Sequence, residues 1–285
     1  MAAATKTMSL RRATRLRCGL KPMGSVSSPR METLQVTRQE GIVTITLDRP
    51  AKKNAIDATM WDELLATFRE IADSDTDRVV VITGSNGEFC SGADLTAGGR
   101  QRHQLAAMRH VGDVALALHR LPQPTIAKVR GVAVGAGCNL ALGCDLVVAG
   151  ETARFSQIFA RRGLSLDFGG SWILPRRVGL HKAKELALLA DIIDAAEADR
   201  IGLVNRVLPD GELDAFVDDW ARRIAGGPPI ALAMSKRMLD SAMQSTFEEA
   251  LDDEGQSQTI NFGTKDTAEA MMAFVEKRAP RFEGR

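Results

Sequence analysis

Residues 123–149 read QPTIAKVRGVAVGAGCNLALGCDLVVA, and this stretch sets the fold class. Ile126–Val129 is a short, mostly apolar run directly after Pro122 and Pro124, which suits a buried strand. Gly131–Gly137 reads as a glycine-rich turn, with a short helix following it through Leu142. Asp145–Ala149 is a second apolar run and hence a further strand. Strand, turn, helix and strand joined by short connections describe a parallel βαβ unit.

The same alternation continues upstream. Val79–Thr83 is β-branched throughout and predicts a buried strand, followed by a loop over Gly84–Gly92 and a helix over Gln101–Arg120. Asp57 is a candidate N-cap for a helix to about Ala72, with Met60, Leu64, Phe68 and Ile71 at helical spacing. Leu34–Arg38 and Ile42–Leu47 alternate apolar and polar residues around Glu40-Gly41, a hairpin pattern. Downstream of Ser171 the pattern is mostly helical, with segments near 181–190, 195–201, 210–225, 229–243, 246–262 and 266–278. The chain therefore divides into an N-terminal extension (1–30), an α/β body (31–210) and a helical C-terminal region (211–285).

The 285 residues carry a net charge of +1, which argues against a general nucleic-acid binder. That average hides an asymmetry. Seven of the 37 basic residues lie in residues 1–30, which contain no acid; the remaining 30 face 36 acids, a net −6. The extension has the Ala, Ser and Arg content of a mitochondrial transit peptide, or it is a solvated segment ahead of a second start at Met31. A cytoplasmic location is expected, with mitochondria the alternative if residues 1–30 are a transit peptide. No apolar run approaches the ~18–20 residues that cross a bilayer as a helix, so a soluble protein is expected. Cys18, Cys90, Cys138 and Cys144 lack CxxC spacing and read as reduced thiols. His103 and His110 fall on one face of a helix without an HExxH motif, and no metal site is expected.

Three segments carry candidate chemistry. Phe89-Cys90-Ser91-Gly92-Ala93-Asp94-Leu95 and Gly131–Gly137 each follow a buried strand. Neither matches a phosphate-binding glycine loop, and Ser91 lies outside a G-x-S-x-G elbow. Each alone can be a tight turn. Together, two small-residue turns at strand ends can aim one N–H apiece at a single oxygen, an oxyanion hole suited to a thioester enolate. The third segment, Phe155–Ser171, contains Asp167 among Leu164, Leu166 and Phe168. An acid in apolar company has a raised pKa and can shuttle a proton; the alternative is a turn or N-cap aspartate before the Ser171 helix.

These segments, in this order, resemble the enoyl-CoA hydratase/isomerase (crotonase) superfamily. The matching stretches include IVTITLDRPAKKNAID (42–57), VVVITGSNGEFCSGADL (79–95), the stretch 123–157, GLSLDFGGSWILPRRVGLHKAKEL (163–186) and AFVEKRAPRFEGR (273–285). The resemblance implies a spiral of ββα turns with a helical C-terminal trimerisation region, assembled as a homotrimer or a hexamer. It implies that the backbone N–H groups of Ala93 and Ala136 form the oxyanion hole. Ala93, Asp94, Leu95, Thr96, Ala136, Phe274 and Lys277 would bind an acyl-CoA substrate, whose coenzyme A is part of the substrate and not a separate cofactor. Hydratases of the family use two glutamates, and here those positions hold Asn139 and Phe159, neither of which exchanges protons near neutral pH. Asp167 falls where isomerases of the family carry a catalytic aspartate. The 1,2-epoxyphenylacetyl-CoA isomerase type shares the Phe and the Asp-x-Gly-Gly context. The expectation is thus an acyl-CoA isomerase, with an enoyl-CoA hydratase or a non-catalytic acyl-CoA binder as alternatives. Some family members bind RNA through a lysine-rich helix, but the segment from Asp57 carries Asp62, Glu63, Glu70 and Asp73, so no nucleic-acid partner is expected.

Overall fold

The computed structural model describes residues 31–96 and 103–285. The expectations for the N-terminal extension and for the start of the helix at Gln101 lie outside the described residues. β1 (Leu34–Gln39) and β2 (Ile42–Leu47) form the antiparallel hairpin. Glu40 and Gly41 both have positive φ at its tip, at 51° and 78°. From β2 onward the sheet is parallel, through β3 (Val79–Gly84), β4 (Thr125–Val129), β6 (Leu146–Gly150) and β9 (Arg206–Leu208). A second, smaller sheet pairs β5 (Val132–Val134) with β7 (Arg154–Ser156) and β8 (Ile193–Asp194).

The second sheet corrects the reading of Gly131–Gly137 as a single turn. Gly131 and Gly135 have φ near +55° and bracket a three-residue strand. Val132 and Val134 are β-branched and the open edge of β7 lies alongside, so pairing wins over turn formation.

Helices α1 (Ala58–Ala72) and α2 (Gln104–His119) cross over between parallel strands. The Asp57 side chain caps α1 by accepting from the Met60 N–H at 2.9 Å. His103 is the N-cap of α2, accepting from the Leu105 N–H, so it does not share a helix face with His110. His110 Nε2 instead lies 2.8 Å from Asp62 on α1. α3 (Ala136–Leu142) is short and wholly buried. α4 (Gly170–Leu189) carries Pro175 inside it and is broken at Gly179, whose φ of 76° and ψ of 161° interrupt the helix.

β3 explains why two hydrophobic layers form. It is buried on both faces, as expected for a strand sandwiched in a parallel sheet. Val80 and Ile82 join the main core with Val43, Ile45, Leu47, Leu64 and Phe68. Val79 and Val81 point the other way, onto Leu213, Val217 and Ala221 of α6 (Leu213–Ala225). α6 thus covers the outer face of the sheet, so the layer on that side lies beyond the expected boundary at residue 210. α5 (Ala195–Arg200) precedes β9, and α7 (Pro229–Ala242), α8 (Phe247–Phe262) and α9 (Lys265–Glu276) complete the helical end. None of the helices among the described residues is long and apolar enough to cross a membrane.

Candidate active site

The first loop is held open by backbone pairing. Asn54, fully buried and with φ of 55°, donates through its side chain to the carbonyls of Ser85 and Glu88. Cys90 then pairs with Ala133 beside β5, through Cys90 N–H to Val132 O and Val134 N–H to Cys90 O. Three residues on, Ala93 bridges Ile56 in parallel fashion. That bridge uses the Gly92 carbonyl and the Asp94 N–H, at 2.8 Å each. Alternation along an extended chain turns Ala93's own N–H to the opposite side, where it donates to no group among the described residues.

The second loop comes up against the first. Gly92 has φ of 99°, and a Cβ there would meet Val134 O at 2.8 Å and stand 3.8 Å from Ala136 N. Only glycine suits both the conformation and the close approach. Gly135 has φ of 56° and ψ of −125°, and its N–H is taken by Ser156 O at 2.9 Å. Ala136 follows as the first residue of α3, a position whose N–H has no intrahelical partner. It donates to none of the described residues either. Two backbone donors therefore belong to loops in direct contact, as an oxyanion hole requires.

Phe159 is buried, and its ring approaches within 4.0 Å of the Cβ position of Gly135, so the second loop has an apolar wall. Asn139 lies one helical turn beyond Ala136 and is fully buried. Its Nδ2 donates to the Asp167 carbonyl at 2.9 Å, and its Oδ1 accepts from Gln157 Nε2 at 2.8 Å. Asn139 thus ties the Asp167 main chain to the helix that starts at Ala136.

Asp167 is half-buried before α4, with one carboxyl oxygen buried and without a hydrogen-bond partner among the described residues. Burial pushes its pKa up from 3.8 to about 6. Of the alternative reading as a turn or N-cap aspartate, the N-cap fails on geometry, because Gly169 occupies the N-cap of α4 in a left-handed conformation, while the Asp167 carbonyl does open a turn by accepting from the Gly170 N–H at 2.8 Å. Next to Asp167, Phe168 is buried at φ of 45° and stacks on Trp61 with ring centroids 5.5 Å apart. A buried aromatic in the left-handed region is strained, and the stack with Trp61 is one of the contacts that hold it there.

Asp94 is held quite differently. It accepts from the Thr96 hydroxyl at 2.7 Å and backbone N–H at 3.0 Å, and pairs with Arg49 at 3.0 Å. The Thr96 hydroxyl bond, reinforced by Arg49, keeps its carboxyl well below the usual range. Lys52 Nζ reaches Thr96 at 3.0 Å, and Leu95 is exposed. Phe274 and Lys277 stand at the C-terminal end of α9, Phe274 highly exposed and Lys277 as its left-handed C-cap. No hydrogen bond or ion pair among the described residues joins them to the Asp167 group. Gln157 and Arg49 emerge as supporting residues that sequence reasoning passed over. Gln157 was legible only as a polar residue between the apolar Phe155 and Ile158–Phe159. Cys90, Cys138 and Cys144 are buried free thiols whose pKa values burial pushes to about 12, so they serve as core residues.

The family model described as enoyl-CoA hydratase/isomerase matches residues 37–285. The Rhodobacter capsulatus protein named "Probable enoyl-CoA hydratase" is 38% identical over 255 residues, spanning 89% of this chain and 98% of the relative. The 1,2-epoxyphenylacetyl-CoA isomerase of Escherichia coli K12 is 34% identical over 261 residues, spanning 90% of this chain and all of the relative. The crystal structure of an enoyl-CoA hydratase from Bacillus anthracis superposes with a TM-score of 0.85 at 32% identity, covering 89% of this chain and 100% of that one. The parallel strand-and-helix body with its helical C-terminal end is therefore the crotonase fold, and the chain belongs to the enoyl-CoA hydratase/isomerase superfamily.

Proposed function

We propose that the chain is an acyl-CoA isomerase that moves a proton on an unsaturated acyl-CoA. The observation that carries this reading is the buried Asp167 oxygen without a hydrogen-bond partner among the described residues, with Asn139 and Phe159 where two glutamates would activate water. In the proposed cycle the ionised Asp167 takes a proton from a carbon conjugated to the thioester. Charge then moves onto the thioester oxygen, where the Ala93 and Ala136 N–H groups stabilise it. Asp167 returns the proton at another carbon, so the carboxylate is regenerated and no water is consumed. A pKa of about 6 suits both halves, because the carboxyl is mostly ionised at pH 7 and remains basic enough to accept. The reading calls for no metal and no cofactor beyond the coenzyme A of the substrate.

Asp94, Leu95, Thr96, Phe274 and Lys277 are proposed contacts of the coenzyme A moiety. An aromatic-acid degradation substrate fits the likeness to the 1,2-epoxyphenylacetyl-CoA isomerase. A homotrimer or hexamer is proposed, because Leu239, Met243, Phe247, Phe262 and Met271 leave the C-terminal helices with exposed apolar surface that a monomer would not bury. A cytoplasmic location is proposed, with mitochondria the alternative.

A second reading, an enoyl-CoA hydratase, is favoured by the name of the Rhodobacter capsulatus relative. Incubation of a panel of unsaturated acyl-CoAs in D₂O, followed by NMR, separates the readings. Deuterium incorporation with double-bond movement supports the isomerase. Stoichiometric formation of a hydroxyacyl-CoA supports the hydratase, and binding with neither reaction would leave a non-catalytic acyl-CoA binder.

A further inference from the structure

We propose that Asn139, clamped by Gln157, is a positioning residue that fixes the main chain of Asp167 and so keeps its carboxyl in the dry side of the site. The proposal rests on the isomerase reading above and extends it to two residues that do not touch the reacting atoms. Residues 164–167 belong to no helix or strand, and Leu164 and Ser165 are exposed. The Asp167 carbonyl accepts from Asn139 Nδ2 and from the Gly170 N–H at 2.8 Å. The second ties the segment to the start of α4, which follows it directly in the chain, and the first ties it to α3, an element distant in sequence.

The orientation of both amides follows from chemistry. A backbone carbonyl only accepts, so Asn139 must present its NH₂ to Asp167 and its oxygen to Gln157. Gln157, 2% exposed, must then present its own NH₂, which also lies 3.5 Å from Cys138 Sγ. The relay is closely packed as well. A Cβ on Gly170 would fall 2.4 Å from Asn139 Nδ2 and 2.8 Å from its Oδ1, so the start of α4 is built flush against the amide. A carboxylate at position 139 would set oxygen against oxygen at the Asp167 carbonyl, while its other oxygen could still accept from Gln157 Nε2. The site thereby tolerates asparagine where an acid of the same shape would push the Asp167 segment away.

The test is a set of three variants, Asn139→Ala, Asn139→Asp and Gln157→Met, each compared with the parent for kcat, KM, the pH profile and the ¹³C-detected titration of the Asp167 carboxyl. Displacement of a reacting group by about 1 Å lowers turnover on the order of 10²-fold. We expect a kcat loss of about that size for both Asn139 variants and about tenfold for Gln157→Met, with KM for the acyl-CoA changed less than threefold. The carboxyl titration should fall from about 6 toward the ordinary aspartate range as the segment takes up water. Unchanged kcat and an unmoved titration in the folded Gln157→Met protein would overturn the proposal, as would full activity in Asn139→Asp. The titration does not depend on activity, so the clamp is tested even if the reaction assignment fails. Conversely, Asp167→Asn with parental turnover would end the isomerase reading whatever the Asn139 variants do.

Discussion

Two aspartates flank the paired loops, and their settings pull in opposite directions. Asp94 sits in a cage of donors, with the Thr96 hydroxyl, the Thr96 N–H and the Arg49 guanidinium all turned toward it. Its proton is easily lost and hard to regain, which suits a fixed charge that braces the residue next to Ala93. Asp167 has an apolar neighbourhood, a strained and stacked Phe168 beside it, and a carboxyl oxygen without a partner. Its two protonation states lie close in free energy near neutral pH, which suits a group that must change state during a reaction. The polar cage suits an anchor, and the buried oxygen without a partner among the described residues suits the proposed shuttle.

Replacing the shuttle breaks the comparison most severely. Asp167→Asn should lower isomerase turnover by at least 10²–10³-fold, the scale of losing ~2.7–4 kcal/mol of transition-state stabilisation. Acyl-CoA binding, followed by calorimetry, should persist. The same change should stabilise the fold. A carboxyl whose folded-state pKa is raised from 3.8 to about 6 favours the protonated native state. Its burden on stability is therefore absent below pH 3.8 and full above pH 6, where it reaches at most about 3 kcal/mol. Denaturant titrations at pH 4 and pH 8 should show the gain only at the higher pH.

Moving an amide while leaving both acids in place comes next. Gly92→Ala puts a Cβ 2.8 Å from Val134 O at a φ of 99°, which should destabilise by about 1–3 kcal/mol. Because it displaces the Ala93 N–H, it should also lower kcat by about 10²-fold. A smaller effect comes from acid alone. The kcat/KM of the parent should lose about tenfold per pH unit below about 6, tracking Asp167. Asp94 should stay ionised throughout, and a second titration in that range would contradict the contrast. Weakest of all is the anchor's partner. Arg49→Met leaves Asp94 and Asp57 without the guanidinium they share at 3.0 and 3.2 Å. A stability loss of about 1–3 kcal/mol with only a few-fold change in kcat is expected, measured by thermal melting and steady-state rates.

Much of this was legible in the residues themselves. The hairpin, the Asp57 cap, the β-branched run of β3 and the order of strands and helices follow from spacing and capping, which are local properties. The two glycine-bearing loops and the isolated Asp167 were also visible as motifs, and the absence of a second carboxylate came from reading positions 139 and 159. The strand inside Gly131–Gly137 was not legible, because three residues pair only when a second edge, β7, is brought alongside. The two-sided burial of β3 depended on α6, more than 120 residues away in sequence, folding back over the sheet. His103 shows the reverse error, since helical spacing suggested a shared face and a cap replaced it.

By itself, then, the order of amino acids determined which segments become strands and helices, which turns need glycine, and which side chains can carry a proton. Those outcomes depend on backbone sterics, apolar periodicity and ionisable chemistry, all of which act within a few residues. What only the tertiary structure decided is the difference between Asp94 and Asp167. Both are aspartates with the same intrinsic acidity, and their opposite behaviour comes from the folded surroundings: the Thr96 hydroxyl, folded back onto the carboxyl and reinforced by Arg49, for one, and burial for the other. Desolvation and charge pairing depend on what surrounds a group in space, and that environment exists only once the chain has folded.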